Sequence, residues 1–453
     1  MKYFIITYGC QMQKSDSERI VAELEKNNYQ SASRISEADL ILVNMCSVRQ
    51  SAVDRVYGLA EKFKIFKRER ERLKTLLTGC VLPLDFERSK KIFDYVLSIK
   101  SLPRWHSLLK KRKYFLMSGD RESKSVKMKI DYLRRRPKYS NKFSALITIS
   151  SGCDNFCTYC AVPYTRGPLI CRPHQEILRE AKNAISNGFS EIWLLGQNVN
   201  DYQSPTDSSI NFSKTLKLVN KIPGKFWIRF TSPHPKNFSG ELIKTMAQCQ
   251  KLTPYLNLPV QSGDNNVLKR MNRPYAVKHY KDLVKKIRNA FKKQRKGMEK
   301  EIALSTDVIV GFPGETKKEF ENTARLFREI GYDMAYIAKY SPRTGTKSAI
   351  LKDSVKPEEK EGRYKVLNEL LKESALKRNK KYLGKTLGVL VEKIKDDFLI
   401  GKSRHYKTVK IKAIKSRRQR TENKKRQGEK IGRFVEAKIV GVSSWGLNGV
   451  LKR

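Results

Sequence analysis

Ser151-Gly-Cys-Asp-Asn-Phe-Cys-Thr-Tyr-Cys160 decides how the chain is read. Three of the eight cysteines, Cys153, Cys157 and Cys160, fall within eight residues here. The apolar run Ala145–Ile149 leads into them and reads as a buried strand. The thiols therefore sit on a loop at a strand's end, close enough to share one metal centre. A [4Fe–4S] cluster normally takes four cysteines. With three, one iron lacks a protein ligand, and an open position is what a catalytic metal needs. A zinc site and three inert thiols are the competing readings. Zinc ordinarily asks for a second close Cys/His pair, whereas the one nearby histidine is His174 and Cys171 has no close partner.

At 453 residues the chain is long enough for about three domains. No apolar run approaches the ~20 residues of a membrane span. Met1-Lys-Tyr-Phe-Ile-Ile enters a strand directly, with no signal peptide. A cytoplasmic protein is expected, in which cysteines serve as ligands or reactive thiols before disulfides. Against 45 Asp+Glu stand 94 Lys+Arg, a formal charge of +49. Such an excess points to a polyanion partner, nucleic acid first. A generally basic proteome is the bland alternative.

Lys2–Tyr8 reads as a strand ending at Gly9-Cys10, and a helix follows from Asp16 with Ile20, Val21 and Leu24. Asp39–Val43 is a second strand, before Cys46. Leu73–Leu77 is a third, before Cys80. Between them, Val53, Val56, Leu59 and Phe63 mark one helix. Strand–helix alternation argues for an open parallel sheet. Cys10, Cys46 and Cys80 each lie just past a strand's carboxyl end, where open α/β sheets bind ligands. A second shared metal site is expected there, three unrelated buried cysteines being the alternative. Residues 111–142, with Arg134-Arg-Arg-Pro-Lys138, read as a basic linker.

Six more strands are expected at Ala145–Ile149, Glu191–Leu195, Phe226–Phe230, Tyr255–Val260, Ile302–Val310 and Asp333–Tyr340. Amphipathic helices such as Pro173–Ser186 and Thr316–Ile330 separate them, which suggests a partial barrel with its site at the carboxyl ends. A β-rich segment runs from Thr386 to the carboxyl terminus. Within it, residues 401–430 carry thirteen Lys/Arg and two Glu.

The C-x3-C-x2-C spacing of Cys153, Cys157 and Cys160 resembles the radical S-adenosylmethionine (SAM) enzymes. Gly9-Cys10-Gln-Met12, Asn44-Met-Cys-Ser-Val-Arg49 and Thr78-Gly-Cys-Val81 resemble the amino-terminal domain of methylthiotransferases. Gln13 stands where that family usually has Asn, and Leu82-Pro83 replaces Ala-Gln. The terminal segment resembles the TRAM module, a small tRNA-binding β-barrel. The Gln-Met pair after Cys10 is similar to the MiaB-type branch, which acts on N6-isopentenyladenosine of tRNA. Branches acting on threonylcarbamoyladenosine or on a ribosomal protein are the alternatives, and a non-catalytic RNA-binding iron–sulfur protein is the rival from another class.

The resemblance implies an α/β fold in three parts. These are an open parallel-sheet domain with linker (1–135), a partial (β/α)6 radical-SAM core (136–377) and a TRAM barrel (378–453). It implies two [4Fe–4S] clusters, a sulfur-carrying one on Cys10, Cys46 and Cys80 and a SAM-binding one on Cys153, Cys157 and Cys160. SAM contacts are expected from Tyr159, Gly196, Gln197, Ser232, Gln261, Asp307 and Gly311. Arg166 is expected to bind substrate through a carboxylate or phosphate. The implied reaction is methylthiolation of adenine C2 at tRNA position 37, with two SAM per turnover, one a methyl donor and one a radical source. Expected partners are the tRNA anticodon stem-loop and a reductant such as flavodoxin or ferredoxin; a monomer is expected.

Overall fold

The computed structural model describes residues 1–48, 50–116, 131–412 and 430–452. Strands β1 (Lys2–Tyr8), β2 (Gln30–Ser31), β3 (Leu40–Cys46), β4 (Lys74–Cys80), β5 (Tyr95–Leu97) and β6 (Tyr114–Leu116) form one parallel sheet in the order β2-β1-β3-β4-β5-β6. β3, Leu-Ile-Leu-Val-Asn-Met-Cys, is buried along its whole length. That suits a central parallel strand covered on both faces. Strand order reverses between β1 and β3, making a switch point where such sheets bind ligands.

β3 and β4 run further than expected. Both reach their cysteines, and Cys46 pairs in register with Cys80; the Ser47 amide then bonds the Cys80 carbonyl at 2.9 Å. Only Cys10 lies beyond its strand. The single helix expected over Val53 to Phe63 is two, Gln50–Tyr57 and Ala60–Glu69. The break falls at Gly58, and glycine weakens a helix interior.

The linker expected over 111–142 is corrected in part. β6 lies inside it, and Tyr132 and Leu133 are fully buried. The Tyr132 hydroxyl donates to Ser151 Oγ at 3.0 Å. Apolar side chains, not visible in a charge count, pull this basic stretch inward. Residues 117–130 lie outside the described residues, as does Arg49.

Strands β7 (Ser144–Thr148), β8 (Ser150–Ser151), β9 (Ile170–Cys171), β10 (Glu191–Leu195), β11 (Trp227–Phe230), β12 (Tyr255–Asn257), β13 (Ala303–Val310) and β14 (Met334–Lys339) follow. β7-β10-β11 and β12-β13-β14 are parallel sets. A parallel bridge from Ile228 to Leu252 joins them into the expected six-stranded partial barrel. β12 stops at Asn257, short of Val260, because Pro259 has no N–H for a ladder. Alternate residues face opposite ways. Ala145, Ile147, Ile192 and Leu194 pack outward on the helices, while Leu146, Trp193 and Leu195 line the lumen.

Helix α1 (Gln11–Lys26) is the joint between sheet and barrel. Ile20 and Leu24 face the sheet core. Met12 packs on Leu146 and Trp193, and Ser15 Oγ stands 3.1 Å from Thr148 Oγ1. Arg19 pairs with Glu180 at 3.3 Å. The polar face of α1 is thus a docking face.

Helix Pro357–Lys380 crosses the expected boundary at 377/378. Beyond it, β15 (Thr386–Lys395), β16 (Phe398–Ser403), β17 (Thr408–Lys412), β18 (Phe434–Ser443) and β19 (Gly446–Leu451) close into a barrel, β15-β16-β17-β19-β18. Its β16–β17 turn inserts Tyr406 into the lumen of the larger barrel, 4.7 Å from the Tyr255 ring and 5.3 Å from Trp193. Arg229 holds the turn by donating to the Ser403 and Arg404 carbonyls at 2.9 and 3.1 Å, while its Nε donates to Glu191 at 2.6 Å. Of the basic segment at 401–430, residues 413–429 lie outside the described residues.

Candidate metal centre

Cys10, Cys46 and Cys80 meet at the carboxyl edge of the sheet, at its switch point. The backbone there leaves no slack. A Cβ on Gly9 would stand 3.0 Å from Cys46 Cβ, and one on Gly79 (φ +104°) would lie 2.2 Å from the Met45 carbonyl oxygen. Gln13, in the first turn of α1, spans the set. Its Oε1 accepts from the Cys10 amide at 3.2 Å and from Cys10 Sγ at 2.9 Å. Its Nε2 donates to Cys80 Sγ at 3.0 Å. Arg166 Nε donates to the same sulfur at 3.2 Å, and Nη2 pairs with Asp16 at 2.6 Å. The Cys80 thiol is drawn down by its hydrogen bond with Cys46 and by the Arg166 charge, against burial. Burial pushes Cys10 up. Cys80 is thus the corner best prepared to be a thiolate, the form that binds metal.

The second set lies on the loop after β8. Gly152 (φ +88°) starts it where a Cβ would strike the Pro168 carbonyl oxygen at 2.0 Å, and the Gly152 amide bonds Gln197 Oε1 at 2.7 Å. The Cys153 amide bonds the Gly167 carbonyl at 3.2 Å, closing the loop. Each sulfur has a donor: Asn155 Nδ2 to Cys153 at 3.3 Å, the Val162 amide to Cys160 at 3.4 Å, and Arg273 Nη1 to Cys157 at 3.7 Å. Burial, then the neighbouring Cys157, pushes Cys160 up to about 12.

Among the described residues, no three His, Cys, Asp or Glu side chains are arranged to hold a single ion. A four-iron cluster asks for a different arrangement, with one thiolate on each of separate iron atoms. Both triplets fit that need, with N–H donors on their sulfurs as metal thiolates use. Cys171 sits on β9 opposite Ser150, and Cys249 is buried at a helix end.

The loops at the carboxyl ends of the barrel gather around Cys157. The Asn200 side-chain amide accepts from the His234 amide at 2.7 Å and donates to the His234 carbonyl at 2.9 Å. The His234 ring meets Tyr275 edge-on at 5.8 Å. Tyr275 accepts from Arg273 Nε at 2.9 Å, and Arg273 reaches Cys157. Burial depresses the His234 imidazole to about 3, so it is neutral. Its Nε2 is buried with no partner among the described residues. Arg273 and Tyr275 were not foreseen, because Asn272-Arg-Pro-Tyr275 carries no local motif.

Of the residues expected to contact SAM, Gly196, Gln197, Ser232, Gln261 and Gly311 lie past strand ends, Asp307 lies within β13, and Tyr159 is on the cysteine loop. Ser232 (φ 55°) and Gln261 (φ 70°) hold left-handed backbone at the ends of β11 and β12. Gly196 has Ser150 Oγ where its Cβ would be, at 2.5 Å. Asp307 accepts from Asn257 at 2.9 Å. Gly311 (φ +69°) lies under the Lys360 side chain, and its amide bonds Glu315 at 2.6 Å. Tyr159 packs with Met271, Phe312 and Tyr340.

Arg166, expected to bind substrate, already has partners within the protein. It contacts a carboxylate, but that of Asp16 inside the protein, and it is 3% exposed. The short helix Val162–Arg166 ends at Gly167, and the guanidinium reaches onto α1 and Cys80.

Residues 147–327 match the radical SAM superfamily, and residues 2–99 match uncharacterized protein family UPF0004. The tRNA-2-methylthio-N(6)-dimethylallyladenosine synthase of Clostridium botulinum (strain Langeland) is 37% identical over 459 residues, covering 99% of this chain and 96% of that protein. The protein of the same name from Alkaliphilus oremlandii is 36% identical, covering 99% and 92%. Among solved structures, the radical S-adenosylmethionine methyltransferase TsrM from Kitasatospora setae, with tryptophan and a SAM analog bound, superposes with a TM-score of 0.55 at 12% identity, covering 77% of this chain and 75% of that one. That likeness is one of fold alone.

Proposed function

This chain belongs to the radical SAM methylthiotransferases, the family of the tRNA-2-methylthio-N(6)-dimethylallyladenosine synthases, and on that premise we propose that it methylthiolates C2 of N6-isopentenyladenosine at tRNA position 37. Two SAM molecules serve each turnover, one as methyl donor and one as radical source. The region 1–135 carries the sulfur, 136–377 generates the radical and 378–453 holds the RNA. The cytoplasm is its compartment, and a small electron carrier such as flavodoxin or ferredoxin its reductant.

The observation that supports this reading is the pairing of two separate cysteine triplets across one domain junction, joined by the Arg166–Cys80 bond at 3.2 Å. When bound, a cluster on Cys153, Cys157 and Cys160 supplies the electron that cleaves SAM, and one on Cys10, Cys46 and Cys80 holds the sulfur to be delivered. The chain's own residues position these events. Gln197 braces the cysteine loop through the Gly152 amide. Arg273 neutralises charge beside Cys157, and neutral His234 offers Nε2 to a ligand on the barrel rim. Tyr159, with Phe312 behind it, gives an adenine a flat apolar edge. The target adenosine must leave its stack to reach this rim, at a cost of a few kcal/mol that a loop lowers.

Mass spectrometry of tRNA nucleosides from a deletion strain tests the substrate. The methylthio-isopentenyl nucleoside should vanish; its full persistence, or loss of a methylthio-threonylcarbamoyl nucleoside instead, would overturn the assignment. Reconstituted with SAM and dithionite, Cys10→Ala should still form 5′-deoxyadenosine but transfer no methylthio group. Cys157→Ala should do neither.

A further inference from the structure

We propose that Arg166, borne by the segment that carries one cysteine set, is a positioning and tuning residue for the other: its bond to Cys80 raises the reduction potential of the cluster on Cys10, Cys46 and Cys80. The inference rests on the two-cluster reading above.

Arg166 follows Cys160 by six residues, on the helix Val162–Arg166. It nevertheless crosses into the amino-terminal sheet. Nε donates to Cys80 Sγ at 3.2 Å, and Nη2 is locked by Asp16 at 2.6 Å. Arg166 and Asp16 are 3% and 0% exposed. A guanidinium fork held at one arm has little freedom to leave the sulfur. Gln13 Nε2 adds a second donor at 3.0 Å. Two side-chain donors thus converge on Cys80, whereas Cys10 is helped by the backbone amides of Met12 and Gln13 and Cys46 by that of Val48. The three corners are electronically unequal. Hydrogen bonds to cluster sulfurs, like net charge, set the potential of iron–sulfur centres. A third donor, Nη1, is buried with no partner among the described residues, next to the same corner. It is free to bond an anionic atom of the cluster or of the sulfur it carries.

The donor comes from the radical-SAM domain and is in place only when α1 is seated on β7. The potential of the sulfur-carrying centre is therefore a property of the docked domains, and neither half sets it alone.

The test uses the full-length chain with Cys153, Cys157 and Cys160 changed to Ala, reconstituted anaerobically and titrated potentiometrically by EPR. Adding Asp16→Asn with Arg166→Gln removes the guanidinium without stranding a buried carboxylate. The reduction equilibrium constant should fall at least tenfold, about 59 mV for one electron. In parallel, the parent grown on 15N-arginine should show 15N coupling to the reduced cluster in pulsed EPR, absent from Arg166→Lys. A loaded cluster with unchanged potential overturns the proposal. Should the double variant take up no iron, the 15N arm decides, and a parent without coupling overturns it equally. A parent that binds no iron at all would instead overturn the two-cluster reading.

Discussion

Replacing Tyr406 by alanine removes the ring that the carboxy-terminal barrel inserts into the radical-SAM lumen. The ring touches Tyr255 and Trp193 at 4.7 and 5.3 Å, and the Arg229 guanidinium lies 4.8 Å from its centre. Truncating a core aromatic costs about 3–5 kcal/mol. Tyr406 is only partly buried, so about 3 kcal/mol is expected, with the ring pairs and the cation–π contact inside that figure. The backbone adds a second term. Tyr406 sits at φ 61°, a left-handed conformation that costs a side-chain-bearing residue about 1–2 kcal/mol. Alanine keeps that strain. Glycine sheds it, while losing about 0.5–1 kcal/mol to unfolded-chain entropy. Tyr406→Gly should therefore be no worse than Tyr406→Ala, and better by up to about 1 kcal/mol. Hydrogen exchange at β16 and β17 amides reads the undocking free energy directly. An alanine variant within about 1 kcal/mol of the parent would show that the ring does not hold the two barrels together, and a glycine variant clearly below the alanine one that the left-handed backbone carries no strain.

Three further outcomes are expected. Burial depresses His405 to about 4 from 6.5, against the pull of Asp333 and with Lys407 nearby. The neutral ring's stability is complete above pH 6.5 and is lost as pH falls toward 4. At pH 5, 1.5 units below the unfolded value, this amounts to about 2 kcal/mol, and His405→Gln should flatten that part of a denaturation-versus-pH curve. Gly79→Ala sets a Cβ 2.2 Å from a carbonyl oxygen at φ +104°. It should cost more than about 2 kcal/mol and, by iron analysis, lose the cluster on Cys10, Cys46 and Cys80 while keeping the other. With a charge of +49, affinity for tRNA in a filter-binding assay should fall by at least about a hundredfold between 50 and 200 mM salt.

The strands and the Cys153–Cys160 run were legible because their signals are local, and Cys10, Cys46 and Cys80 because each follows or ends a strand of its own. Lys2–Tyr8 and Glu191–Leu195 are strands to the residue, since β-branched and aromatic runs ending at glycine or polar turns leave few alternatives. What escaped depends on contacts between segments far apart in sequence. The helix expected from Asp16, on Ile20, Val21 and Leu24, begins at Gln11, and its polar Ser15, Asp16 and Arg19 are fully buried. A second domain covers them, and no window of sequence records that. Arg166 was read as reaching for a ligand, whereas its partners lie 150 and 86 positions away. Gln13 has the reach to accept from Cys10 and donate to Cys80 together. Arg273 matters only because folding sets it beside Cys157.

The measurement closest to the central claim is iron and sulfide per chain after anaerobic reconstitution, on the parent and on two triple-alanine variants. Two four-iron clusters predict about eight iron and eight sulfide in the parent. The Cys10/Cys46/Cys80 variant should lose half, and so should the Cys153/Cys157/Cys160 variant. A fully loaded parent with only half that iron, or a triple variant that retains it all, would contradict the account.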